Sequence, residues 1–177
     1  GGYNCVITIE KGRIINGIGG TLFPGPNFMN AGAMDGEIAY LLRNFEKSLL
    51  FEGGASSLAG SGNLPIEAFS RESYPEAFNA FVEGVLFAVC SQRALAVSNE
   101  VYLSGRLAKY ANLYNPIKVS LEELGYTVNP VPVLSNQSKA AAQGHAIIGN
   151  GLCGGYYEPL VKHMMIDKAK GSVTDYV

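Results

Sequence analysis

The chain has no tryptophan, two histidines and three cysteines, and only 16% of its 177 residues are charged. Each shortage excludes something. The cysteines (Cys5, Cys90, Cys153) are odd in number and widely spaced, which suits a reducing cytoplasm better than a disulfide framework. They read as small buried apolar side chains. His145 and His163 have no Cys or second His at ligand spacing, so no metal pattern forms and both read as structural. No block of Lys or Arg occurs, and 13 basic against 15 acidic residues leave a formal charge of -2. Nucleic acid and anionic membrane are therefore disfavoured as partners. The most apolar run, Ala80 to Cys90, is interrupted by Glu83 and Gly84 and is much shorter than the roughly 20 residues of a bilayer-spanning helix.

What is present is apolar material, 47% of the chain, enough for one core. The size is that of one domain or of one lobe of a larger enzyme. Because Gly1-Gly2 lead straight into strand-like sequence, without a targeting segment, the chain reads as cut from a longer one.

Two β-branched runs, Tyr3 to Ile9 and Arg13 to Ile18, flank Glu10-Lys11-Gly12 and predict a β-hairpin. Gly19 to Pro26 hold two prolines and three glycines, a shaped loop. After Asp35 the spacing of Ile38, Ala39, Leu41, Leu42 and Phe45 predicts a helix of about three turns with an acidic cap. Ser48 to Phe51 are expected as a third strand, and Ala55 to Asn63, rich in Ser, Gly and Ala, as a mobile surface segment.

Ser73-Tyr74-Pro75-Glu76 match a capping box ahead of a long apolar helix, Tyr74 to Ala96. A strand follows at Glu100 to Leu103, then the loop Ser104-Gly105-Arg106 and a helix begun by Pro116. Tyr126 to Val128 and Val131 to Leu134 predict a strand interrupted by Pro130 and Pro132. Ser135 to Ser138 are expected to cap a small-residue helix, Lys139 to Ile148. After a Gly-rich turn come a helix around Leu160 to Met165 and a last strand, Ser172 to Tyr176. The helix of Ala and Gly must pack closely against something. Whether that is the domain itself or a second subunit is open, and a homodimer is the expected assembly.

The pattern predicts an α/β fold with one mixed sheet and helices on both faces, its ligand lying beyond the strand carboxyl ends. Glycines there, Gly1-Gly2, Gly19 to Gly25, Gly53-Gly54 and Ser104-Gly105-Arg106, allow close backbone approach to a phosphate, or else are ordinary turn residues. Gly149 to Gly154 spell a dinucleotide-binding fingerprint, but a helix rather than a strand precedes them, so the motif is rejected. Asp35 and Glu37 either hold Mg²⁺ or accept a hydroxyl proton, or simply place negative charge at a helix start. Arg106 either grips a phosphate or base or is a surface arginine. No residues are assigned to a resident metal.

Gly17-Ile18-Gly19-Gly20-Thr21 with Pro24-Gly25, Met34-Asp35-Gly36-Glu37-Ile38, Val101-Tyr102-Leu103-Ser104-Gly105-Arg106, Lys139 to Ala146 and Gly151 to Gly155 together resemble an archaeal family usually described as predicted butyrate kinases. That family lies within the acetate and sugar kinase, Hsp70 and actin superfamily. The resemblance covers nearly the whole chain. It implies a ribonuclease H-like domain of order βββαβαβα with a helical tail, residues 1–177 forming the C-terminal lobe of a two-lobe cytoplasmic protein.

The implied activity is transfer of the γ-phosphoryl of MgATP to a small carboxylate or hydroxyl acceptor. In that reading Gly1 and Gly2 belong to a phosphate loop, and Ser104, Gly105 and Arg106 to the adenosine loop. Gly19, Gly20, Thr21 and Gly25 face the substrate, with Asp35 and Glu37 as the catalytic carboxylates. The first phosphate loop lies on the missing lobe, so the isolated chain is expected to be a poor catalyst. The alternative is a non-catalytic actin-like module that senses nucleotide or serves in assembly.

Overall fold

β-branched residues in alternation build β1 (Cys5–Glu10) and β2 (Arg13–Gly19), which pair antiparallel across a two-residue turn. Lys11 and Gly12 both take positive φ there, 48° and 73°, the geometry of a primed hairpin turn. The register slips after Thr8, leaving Ile15 as a bulge opposite Thr8 and Ile9. This structure, a computed structural model, describes residues 3–171. Gly1, Gly2 and the strand expected at Ser172 to Tyr176 lie outside the described residues.

The chain is α/β, but the single mixed sheet is not what forms. β3 (Glu100–Leu103) pairs parallel with β4 (Thr127–Pro130), and this pair is separate from the hairpin. The third strand expected at Ser48 to Phe51 is a 3-10 segment, Lys47–Phe51. Short apolar runs fit either period, and this one joins neither sheet.

The centre of the fold is α3 (Pro75–Ser91), with Pro75 at its first position. Ala77, Phe78, Phe81, Val82, Ala88 and Val89 fall on its buried face. Phe69 is fully buried beside it, its ring 5.3 Å from Phe28 and 5.4 Å from Phe78. The capping box at Ser73 is not made. Tyr74 occupies the cap position without a side-chain bond, and the Ser73 hydroxyl faces Ser70 instead. The helix also stops earlier than expected, tightening into a 3-10 turn at Gln92–Ala94.

α4 (Ala111–Glu123) seals the other side of this core with Leu113, Ile117 and Leu121. It begins before Pro116, which sits inside it rather than at its start. The start is anchored from outside: Asn112 Nδ2 donates to the carbonyls of Ile66 and Phe69, both at 2.8 Å.

Three further expectations are corrected. Residues 55–58 are not a mobile surface stretch: α2 (Ala55–Leu58) buries Ala55 and Ser56, because Gly54 lets the backbone lie against Asn27 and Asn30 where any Cβ would collide. α1 (Gly36–Leu41) is six residues rather than three turns, and none of them is buried. The cysteines are all free, with Cys5 and Cys153 exposed and Cys90 half-buried.

α5 (Ala140–Leu152) and α6 (Glu158–Met164) form a hairpin of helices that meets the rest of the fold at the β1–β2 turn. There His163 Nε2 lies 2.8 Å from the Lys11 carbonyl, and Arg13 Nε donates to the His163 carbonyl at 3.1 Å. Lys139 takes the cap position of α5 in place of the serines before it, and makes no side-chain cap. Gln143 secures that end instead, accepting from the amides of Leu134 and Ser135 and donating to the carbonyls of Ser135 and Ser138. Only Gly151 of α5 is buried, against Tyr157 and Val161 of the α6 region. The close packing that its small residues predict is therefore made at one end alone. Among the described residues no helix is long and apolar enough to cross a membrane.

Candidate functional site

Because the two sheets do not join, the free edges of β1 and β3 face a cleft of about 780 Å³. Consecutive residues Tyr3 to Ile9 form one wall, and β3 with the loop after it forms the other. Consecutive residues of a strand can line one cavity only when the strand presents its edge, since side chains alternate between faces. The floor is α3, contributing Phe81, Val85 and Val89.

The polar groups at the floor are tied down. Gln92 Oε1 accepts from Thr8 Oγ1 at 2.6 Å and from Asn16 Nδ2 at 2.8 Å, while its Nε2 donates to Ser91 Oγ at 3.0 Å. Arg93 stacks over the Tyr126 ring at 4.1 Å and donates to the Leu124 carbonyl at 2.6 Å. Tyr126 is buried, and among the described residues its hydroxyl has no hydrogen-bond partner. Burial, and after it the neighbouring Cys90, push the phenol above its ordinary range, with the Arg93 charge acting in the opposite direction.

Ser104, Gly105 and Arg106 line this cleft at the carboxyl end of β3. Gly105 has φ +98°, and nothing lies within 4 Å of where a Cβ would stand. Its backbone is thus open to a ligand, in a conformation that L side chains rarely adopt. Arg93 being engaged, Arg106 is the cation on the lining whose guanidinium makes no hydrogen bond or ion pair among the described residues.

The other sequence candidates lie elsewhere. Asp35 Oδ1 accepts from the amides of Glu37 at 2.8 Å and Ile38 at 3.2 Å, capping α1, and Glu37 is an exposed residue of that first turn. Neither lines the cleft. Gly19 ends β2, the Gly20 amide donates to the Asn4 carbonyl at 3.3 Å, and Thr21 is exposed. Gly25 has φ +80° and sits against Gly84 of α3, where it permits a helix-to-loop approach with no room for side chains. Of this loop only Phe23 reaches the cleft. Tyr3, Thr8, Gln92, Arg93 and Tyr126 were missed by sequence reasoning. The usable signal was the Gln-Arg pair closing a long apolar helix, where a polar side chain at a core position needs a partner.

A family model described as "Protein of unknown function (DUF1464)" matches residues 1–177. The chain belongs to this family. No curated protein and no solved structure matches it. The site therefore rests on its own geometry: an apolar floor, two strand edges, an open Gly-containing loop and one uncommitted arginine. Such a cleft can hold a flat, partly apolar molecule carrying negative charge at one end. Among the described residues no group of three His, Cys, Asp or Glu side chains is placed to hold a metal.

Proposed function

We propose that the cleft between the two sheets binds an adenine nucleotide, and that this chain is the nucleotide-binding lobe of a kinase-like phosphotransferase with a ribonuclease H-like ancestry. The observation that carries the reading is the position of Ser104-Gly105-Arg106: an open loop at the carboxyl end of a parallel strand, facing a cleft of about 780 Å³. In this reading the base lies over Phe81, Val85 and Val89, and the phosphates reach the Arg106 guanidinium. The resemblance to the acetate and sugar kinase, Hsp70 and actin superfamily supports the same loop as the adenosine contact.

Among the described residues Glu100 is the one carboxylate on the lining, and since Mg²⁺ sites draw on one or two carboxylates together with substrate phosphates, it is the side chain that would hold an Mg²⁺ carried in on the nucleotide. No step is assigned to the metal. Asp35 commits its carboxylate to capping α1, so catalysis by Asp35 and Glu37 is not part of the proposal. That neither Asp35 nor Glu37 lines the cleft favours a second reading, a module that binds nucleotide without turning it over.

Calorimetric titration of the chain with ADP, with and without Mg²⁺, tests the proposal. Saturable binding is expected, weakened about tenfold by Arg106→Ala, the loss of one charge-assisted contact. A flat titration, or binding that Arg106→Ala leaves unchanged, overturns it. An assay of ATP consumption with small carboxylate and sugar acceptors separates the two readings.

A further inference from the structure

We propose that residues 35–48 form a self-association arm through which two copies of this chain pair about a two-fold axis. No residue of the segment is buried, yet it is not a loosely hung loop. It leaves the body just after the Ala33 amide bonds the Phe23 carbonyl at 2.8 Å. It returns where the Glu52 carbonyl accepts from Ala31 at 2.9 Å and the Leu50 carbonyl from Tyr3 Oη at 2.9 Å. Between those anchors α1 is held in shape by its own cap, Asp35. A short helix with fixed ends has been placed outside the core.

What it places there is apolar. Ile38 is 54% exposed, Tyr40 81%, Leu41 72% and Leu42 48%, with Phe45 at 36%. At about 200 Å² for a large side chain, these five expose on the order of 600 Å². A stable interface covers ~800 Å² per partner, so the arm and its polar flank match the area one side of a dimer needs. Exposed apolar area of this size is at the upper end of what a monomer carries and is often functional.

The charges within the arm select a second copy as the occupant. Arg43 and Lys47 alternate with Glu37 and Glu46, and neither Arg43 nor Glu46 joins an ion pair among the described residues. A surface carrying both signs around an apolar centre is complementary to itself under a two-fold rotation, where Arg43 of each copy meets Glu46 of the other. A site for an acidic or a basic partner would carry one sign. The proposal does not depend on the nucleotide reading, because no residue of the arm lines the cleft.

Sedimentation equilibrium of this chain, from low to high micromolar, is the test. A reversible monomer–dimer equilibrium is expected. Leu41→Asp and Tyr40→Glu should each raise its dissociation constant at least tenfold while circular dichroism and the thermal midpoint of the monomer stay unchanged, and Val119→Asp, on exposed surface of α4, should leave it unaltered. Arg43→Glu alone and Glu46→Lys alone should weaken pairing, and mixing the two variants should restore it as a heterodimer. A chain monomeric at every concentration, a dimer indifferent to Leu41→Asp, or a mixture without rescue overturns the proposal. Open-ended growth with concentration overturns the two-fold symmetry and with it the assignment of this face to a closed pair.

Discussion

Gln92 and Thr8, 84 residues apart in sequence, share a hydrogen bond of 2.6 Å. Both side chains are buried, and the same Gln92 oxygen accepts from Asn16 on β2. One amide at the end of α3 thus holds both strands of the hairpin and sets one wall of the cleft. The Gln92→Leu substitution is expected to cost about 1–3 kcal/mol in urea unfolding, because it leaves the Thr8 hydroxyl buried and unpaired. Thr8→Val added to it should cost less than the sum of the two single changes. Strict additivity would mean that the bond contributes nothing.

Two glycines in helices should respond to alanine in opposite directions. Gly144 in α5 has nothing within 4 Å of its missing Cβ, whereas in α3 a Cβ on Gly84 would collide with the Pro24 carbonyl. Gly144→Ala is expected to stabilise by about 0.5–1 kcal/mol through helix propensity, provided α5 contributes to global unfolding. Gly84→Ala is expected to destabilise by about 1–3 kcal/mol through overpacking, despite the same propensity gain. Thermal and denaturant unfolding of the pair decide it. A stabilised Gly84→Ala would show that the loop at Pro24-Gly25 yields without cost.

Tyr126 gives the fold an alkaline limit. Its folded pKa is raised above the ordinary value of 10.0, so the folded state holds its proton more tightly than the unfolded one. The sign follows from linkage: this contribution is complete below about pH 10 and is lost as pH rises through the folded pKa. Tyr126→Phe should match the native stability at neutral pH, since it removes an unpaired buried hydroxyl and keeps a ring for Arg93. Above pH 10 its stability should fall less steeply than that of the parent. Parallel curves for the two proteins would show that Tyr126 is solvated.

His163 fastens the α5–α6 unit to the hairpin turn through the Lys11 carbonyl. His163→Ala is expected to change global stability by less than about 1 kcal/mol, because the bond is exposed. It should increase local opening of α5 and α6, measured as faster amide exchange there and unchanged exchange in α3 and α4. Uniform acceleration across all four helices would place the unit inside the cooperative core.

The amino-acid sequence by itself determined the elements whose signals are local. Alternation with a Gly turn made the β1–β2 hairpin, the 3.6-residue stripe from Ala77 to Val89 made α3, and Asp35 capped a helix. Each depends on neighbours within a few residues, so period and capping suffice. The Ser104-Gly105-Arg106 loop was legible for the same reason, as a break after the strand-like Val101-Tyr102-Leu103.

Only the tertiary structure decided the rest. Ser48 to Phe51 became part of a 3-10 segment that joins neither sheet, and the Ala-rich helix stayed largely at the surface, with only Gly151 buried. Asp35 and Arg106, which looked like members of one site, were separated, while Gln92, Tyr126 and the edge of β1 were brought to the loop from distant positions. Which strand edges are left open, and which carboxylate is already engaged in a cap, depend on packing between elements remote in sequence. The spacing of residues along one chain carries no term for that packing.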